Sequence, residues 1–284
     1  MSIRIFSDST CDLGPELIKR YDITIVPLSI IMGDKIFFDG EAVTQTDIFS
    51  WCDENKTTPK TAAIDIERLS NAAGSYLENN DDIIFFTISS SMSSTFNIAS
   101  IYARENGNGH MHVIDSENLS TGIGLLVIKA AEMAAEGISA ENIVREIEKL
   151  KVKIRSSFVI DTLTFLSRGG RCSSVTSLLA NTLHIHPMIS VKNGTMGIEK
   201  KFHGNLDSSI FKYLNYLEEE LKDADPSRIF ITHTIPDDSN TVNEVRDILT
   251  GLNIFDEILD TKAGGVVSSH CGPGTLGILF MKKT

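Results

Sequence analysis

Six hydroxyl side chains, Ser89, Ser90, Ser91, Ser93, Ser94 and Thr95, crowd the junction between an apolar run, Ile83–Ile88, and a helix-forming segment. Hydroxyls at such a junction can hold an anion. The first turn of a helix leaves N–H groups unpaired and carries roughly half an elementary positive charge. Two other loops have the same character, Ser7-Asp8-Ser9-Thr10 and the stretch 115–122, DSENLSTG. In open α/β sheets ligands sit beyond the carboxyl ends of strands, so the three loops together point to a cradle for a carboxylate or a phosphate. Singly, each also reads as a helix cap, with Asp8 and Asp115 fixing turns.

Histidine supplies the other candidate chemistry. His270 precedes Gly272-Pro273-Gly274 and a closing strand, where glycine permits close approach or a left-handed backbone. His184, His186, His203 and His233 lack metal-ligand spacing, and the pair at 184 and 186 fits strand alternation, so no metal is expected. Ser93, His270 and Asp8 or Asp115 could compose a hydrolase triad, although no G-x-S-x-G element is present. A phosphate-binding G-x-x-x-x-G-K-[ST] loop is also missing. Arg168-Gly169-Gly170-Arg171 is a basic turn able to touch phosphate, or simply a solvated one. The residues alone support a two-domain α/β protein that binds a small anion.

Short β-branched and aromatic runs must position these groups. Strands are predicted at 3–6, 23–26, 83–88 and 111–114, alternating with helices in the order of a parallel sheet covered on both faces. Asp12 is the expected cap of a helix through Leu17 and Tyr21, Asp65 of one through Leu69 and Leu77, and Ser139 of a charged amphipathic helix carrying Ile143 and Ile147. That helix ends near Ile154, the expected domain boundary. Beyond it come a strand at 158–160, a hairpin at Lys192-Asn193-Gly194, helices through Tyr213 and Val245, and strands at 228–231, near 258 and at 276–280. The expectation is two α/β domains. Residues 1–154 hold a mainly parallel sheet flanked by helices, and residues 155–284 a mixed sheet with helices.

Length and charge exclude whole classes of function. The chain has 284 residues, 42% hydrophobic, with 38 acidic residues against 26 basic and a net charge of −12. Such a field repels nucleic acid, so no nucleic-acid partner is expected. No apolar run approaches the roughly 20 residues that cross a bilayer, and the first ten residues lack a signal-peptide core. Cys11, Cys52, Cys172 and Cys271 are scattered, without C-x-x-C pairs. The expectation is a soluble, cytoplasmic chain without cofactor.

Several stretches, in order along nearly the whole chain, resemble the DegV-like family of bacterial fatty-acid-binding proteins: Ser7-Asp8-Ser9 with Asp12-Leu13, Ile88-Ser89-Ser90, Asp115-Ser116, Asp161-Thr162-Leu163, Arg168-Gly169-Gly170-Arg171, and His270 with Gly272-Pro273-Gly274. The resemblance implies one palmitate-like fatty acid in a tunnel between the domains, and a carrier that presents the acid to a separate fatty acid kinase with transient membrane contact allowed. It also implies carboxylate contacts at Thr61, Ser93 and His270, with Ser94 replacing the family's usual glycine. The Thr61 segment keeps its threonine but lacks the Ser, Gln and Pro that follow it in the family. Lys201-Phe202-His203 puts histidine where the family often has arginine. Arg168 and Arg171 are then candidates to face the kinase or its phosphate. Phe6, Ile25, Leu28, Ile30, Phe158, Leu163 and Leu166 are candidates for the apolar wall, or for ordinary core. A serine esterase or thioesterase using Ser93, and a binding protein for a small phosphorylated metabolite, are the alternatives.

Overall fold

The computed structural model of the protein describes residues 2–172, 185–236 and 239–283. Strands β1 (Ile3–Asp8), β2 (Ile23–Val26), β6 (Asp82–Thr87) and β7 (Met111–Asp115) form a parallel sheet in the order β2-β1-β6-β7. The central strand β6 is buried from Ile83 to Thr87. A strand covered on both faces reads as a continuous apolar run rather than an alternating one, which is how DIIFFT reads. A second, three-stranded antiparallel sheet, β4-β3-β5, is made by β3 (Ser29–Met32), β4 (Lys35–Phe38) and β5 (Lys60–Ala62).

The chain's other half carries a six-stranded mixed sheet: β8 (Ile154–Val159), β9 (Ile185–Lys192), β10 (Thr195–His203), β11 (Ala224–His233), β12 (Glu257–Lys262) and β13 (Leu276–Lys282) in the order β10-β9-β8-β13-β11-β12. Only the β11–β12 pairing is parallel. The β9–β10 hairpin turns on Asn193 and Gly194, both left-handed at φ 49° and 75°, the backbone that a two-residue turn between twisted strands demands. The molecule therefore has two α/β domains, one parallel and one mixed.

Helices α1 (Pro15–Arg20), α2 (Gln45–Asn55), α3 (Ile66–Glu78), α4 (Thr95–Asn106), α5 (Thr121–Ala135) and α6 (Ala140–Leu150) precede β8. Helices α7 (Thr164–Gly169), α8 (Leu206–Lys222), α9 (Thr241–Gly251) and α10 (Gly265–Cys271) follow it. The caps are legible. Asp65 accepts from the Glu67 and Arg68 amides, and Thr44 forms a capping box with Asp47. Ser139 occupies the first cap of α6, although its hydroxyl makes no bond to the helix backbone. Helix α5 packs on β1 of the first sheet and on β8 and β13 of the second, with eleven of its fifteen residues buried. It is apolar all round because both its sides face sheet.

The expectation for Asp12 is corrected. Gly14 caps α1, and Asp12 sits at φ 51° with its carboxylate turned inward. Its two oxygens accept from the Gly264 amide at 2.8 Å and the Ser120 hydroxyl at 2.5 Å. A buried carboxylate needs such donors, and they lie on other elements rather than on α1.

Candidate functional site

Strand β6 delivers the serine loop to the carboxyl end of the parallel sheet. The loop is folded on itself by Met92 N–H and Ser93 N–H, which both donate to the Ser89 carbonyl at 2.9 and 3.2 Å. Ser90 N–H donates to Asp115 Oδ1 at 3.1 Å, and Ser89 Oγ donates to the Gly194 carbonyl at 2.7 Å. Ser93 Oγ accepts from the Thr95 amide at 3.3 Å and lies 2.9 Å from Thr95 Oγ1. Ser94 begins α4 with no side-chain cap, and the first turn of that helix holds no acid. Unpaired amides and the positive helix end therefore face outward from this turn. Ser94 has φ −77°, so a side chain here carries no strain.

Helix α10 brings the histidine. It starts at a pair of glycines seated on two buried carboxylates: Gly264 N–H donates to Asp12, and Gly265 N–H to Asp39 Oδ1 at 2.7 Å. A Cβ at Gly264 would lie 2.8 Å from Asp12 Oδ1, and one at Gly265 would lie 2.6 Å from Ile30 Cδ1. Glycine is required by this close approach. Burial pushes Asp39 above the usual carboxylate range, and Asp12 well above it, against the pull of these donors. At the far end of α10, His270 Nε2 lies 2.8 Å from Thr61 Oγ1 on β5.

Burial, and then the charge of Arg171, push His270 down to about 4, so the ring is neutral at pH 7. Its Nδ1 is buried without a partner. With the proton on Nε2, the ring donates to Thr61 Oγ1, leaves only a lone pair at Nδ1, and frees the Thr61 hydroxyl proton for an anion. Gly169, the last residue of α7, lies against this ring: a Cβ there would overlap Nδ1 and sit 3.1 Å from Cε1.

These groups meet on one cavity of about 480 Å³. Thr61, Ser93, Ser94, His270 and Arg171 all line it, beside apolar Leu28, Ile88, Met92, Leu119, Met196 and Val267. Among the described lining residues there is no carboxylate, and Arg171 is the one charged side chain. Arg168 does not line it. It borders an adjoining cavity of about 570 Å³ with Lys60, Arg171, Thr61 and His270, so Thr61 and His270 stand between the two spaces. Of the seven wall candidates only Leu28 lines the cavity that holds Ser93 and Ser94; Phe6, Ile30, Phe158, Leu163 and Leu166 are core, and Ile25 packs against that core.

The triad is not assembled. Asp8 is consumed by the Thr10 amide, the Thr10 hydroxyl and the Ile88 amide, and Asp115 by the amides of Ser90 and Glu117. His270 Nε2 pairs with Thr61 rather than Ser93. Among the described residues no cluster suits a metal ion. His186 is tied to the Gly204 carbonyl and lies near Asp161, His203 is exposed on β10, and His184 lies outside the described residues.

A family model described as "Uncharacterised protein, DegV family" matches residues 2–283. The chain belongs to the DegV family. A DegV domain-containing protein of Caldanaerobacter subterraneus is 30% identical over 281 residues, and one of Clostridium perfringens is 29% identical, each match covering 99% of both chains. Among solved structures, a fatty-acid-binding DegV-family protein from Thermus thermophilus superposes with a TM-score of 0.91 at 28% identity, covering 99% of this chain and 100% of that one. A stearic-acid-binding protein from Eubacterium ventriosum superposes at 0.83 with 26% identity, covering 100% of this DegV-family chain and 99% of that protein.

Sequence reasoning missed what seats the histidine. In this DegV-family chain Asp12 and Asp39 hold the glycine start of α10 and Gly169 lies against the His270 ring, none of them lining the cavity of the serine loop. The signals were Gly264-Gly265, a pair before an apolar helix start, and Gly169-Gly170 at the end of another helix.

Proposed function

We propose that the protein binds a long-chain fatty acid, with its carboxylate at Thr61, Ser93, Ser94 and His270, and presents it to a separate ATP-dependent kinase that forms the acyl phosphate. The observation that carries this reading is a cavity joining an acid-free, hydroxyl-rich mouth at a helix start to an apolar lining. Fatty-acid binding by the Thermus and Eubacterium proteins supports it.

The energetics divide accordingly. About 14 buried methylenes at roughly 0.8 kcal/mol each contribute a gross ~11 kcal/mol, against an association cost of about 4–15 kcal/mol. The headgroup needs only to avoid a desolvation penalty, which hydroxyl and amide donors offset. Among the described residues the Ser93 hydroxyl pairs with Thr95 rather than with a base, and none is required.

Arg168 and Arg171, with Lys60, border the adjoining space on the far side of Thr61 and His270. We assign that basic space, without an acid among its described lining residues, to the phosphate or to an acidic face of the kinase, with exposed His203 at the family's arginine position a determinant of partner choice. No described helix is long and apolar enough to cross a membrane, and we propose a cytoplasmic carrier that needs no cofactor and meets membranes only transiently. We propose 1–154 and 155–284 as the domain limits, supported by sheet membership: among the described residues no strand of the parallel sheet follows Asp115, and none of the mixed sheet precedes Ile154.

The test is mass spectrometry of purified protein under native and then denaturing conditions. The expected result is one copurifying long-chain acid, released without covalent change. A fluorophosphonate adduct on Ser93 would replace this reading with a hydrolase, and a copurifying phosphorylated metabolite in place of lipid would replace it with a metabolite-binding protein.

A further inference from the structure

The passage from α6 into β8 reads Lys149-Leu150-Lys151-Val152-Lys153-Ile154-Arg155, four cations in seven residues of a chain whose net charge is −12. A cleft of about 390 Å³ lies over it, remote in sequence from the acyl cavity's serine loop and histidine. Three carboxylates line that cleft and each is already engaged. Glu199 takes Arg155 Nη2 at 2.9 Å and Lys192 at 3.1 Å, Glu220 takes Arg155 Nε at 2.8 Å and Lys282 at 2.9 Å, and Glu117 takes Lys151 at 3.0 Å.

Five lining cations stand against three lining carboxylates and Glu148, which reaches Lys151 from outside the cleft, so one positive charge is left over. Lys153 donates to a backbone oxygen, the Lys283 carbonyl at 3.2 Å, and pairs directly with no carboxylate among the described residues. Arg155 is 7% exposed, yet its Nη1 donates to none of the described residues. A buried guanidinium nitrogen without an acceptor is costly, and native proteins rarely keep one.

We propose that this cleft binds a phosphate group, whether free, on a small metabolite or as a lipid headgroup. A phosphate carries about −1.5 to −2 charges at pH 7, opposite in sign to the excess, and offers three acceptor oxygens to a lysine and a guanidinium. The site is separate from the acyl cavity but shares an element with it. Lys192 and Asn193 of the β9–β10 hairpin line the cleft, while Met196 of the same hairpin lines the acyl cavity. The Ser89 hydroxyl holds that hairpin at the Gly194 carbonyl.

The experiment titrates the full chain with inorganic phosphate at low ionic strength, followed by phosphorus NMR, for the wild type, Lys153→Glu and, as a control for general charge, Lys35→Glu on exposed β4. Saturable binding that weakens about tenfold in Lys153→Glu and is unchanged in Lys35→Glu is expected, the loss of one charge-assisted contact. No saturable binding, equal affinity in Lys153→Glu, or equal weakening in both variants overturns the proposal. Sedimentation with phosphatidic acid vesicles, compared with phosphatidylcholine vesicles, separates the sources. Retention on phosphatidic acid that Lys153→Glu abolishes assigns the headgroup, and saturable phosphate binding without retention assigns a soluble phosphate.

Discussion

The loops at 7–10 and 89–95 leave neighbouring strands of one sheet and are both rich in hydroxyls, three in the first and six in the second, yet they end in opposite states. In the first, Asp8 collects the Thr10 amide at 3.0 Å, the Thr10 hydroxyl at 2.5 Å and the Ile88 amide at 2.7 Å, and both Asp8 and Thr10 are fully buried. In the second there is no carboxylate of its own, and Ser93 and Ser94 line a cavity. The difference is the acid. A carboxylate inside a hydroxyl-rich loop is itself the anion that the loop was built to satisfy, whereas a loop lacking one keeps its donors for a ligand. The loop at 115–122 behaves like the first: Asp115 takes the Ser90 and Glu117 amides, and Ser120 is spent on Asp12.

The strongest way to break this contrast is to give the open loop an acid. Ser93→Asp should lower fatty acid affinity by about a hundredfold or more, because two carboxylates sharing one site repel, while circular dichroism stays unchanged. Retained copurifying lipid in that variant would end the comparison. Gly169→Ala comes next. Its methyl would displace the His270 ring from Thr61, so that the Thr61 hydroxyl proton is no longer directed to the anion, for a loss of about tenfold or more, read by displacement of a fluorescent fatty acid. Ser93→Ala and Thr61→Ala each remove one donor to a charged group, about tenfold. Thr10→Val in the closed loop should do the reverse, costing about 1–2 kcal/mol of stability in urea unfolding while leaving lipid affinity alone.

The contrast also marks where the sequence was legible. Strands β1, β2, β6 and β7, the β9–β10 turn and the caps at Asp65 and Ser139 follow from local periodicity and turn chemistry. The parallel and the mixed sheets are therefore readable, whereas the third sheet, β4-β3-β5, built of three- and four-residue strands that include Lys35 and Lys60, is not. The serine loop stood out by composition, but so did its two closed neighbours. Composition counts donors and is blind to which are spent. Thr61 lies in an unremarkable KTA segment, and only resemblance to the family singled it out. The seat of His270 was hidden for a different reason. Asp12, Asp39 and the glycine pair at 264–265 are 225 or more positions apart in part, and long-range pairs of this kind leave no pattern in a single sequence.

The smallest effect tests the titrating groups on the two sides of the comparison. In the closed loop, burial raises Asp8 to about 6 from an ordinary 3.8, so the folded chain takes up this proton first. Its contribution to stability is full below about 3.8 and is lost as pH rises through 6. On the cavity side, burial and then Arg171 lower His270 to about 4 from 6.5. Here the unfolded chain takes up the proton first, so the contribution is full above about 6.5 and is lost as pH falls through 4. Between pH 4 and 6 the two slopes oppose each other, and the wild-type urea midpoint should change little on their account. His270→Gln removes one of them. Relative to the wild type, the variant should gain stability as pH falls from 6.5 to 4, by an amount on the order of 1–3 kcal/mol. Midpoints that run parallel for the two proteins across this range would mean that the imidazole is not held neutral in the folded chain. The lone pair at Nδ1 and the free Thr61 proton would then lose their basis, and the open mouth would have to be rebuilt around a charged histidine.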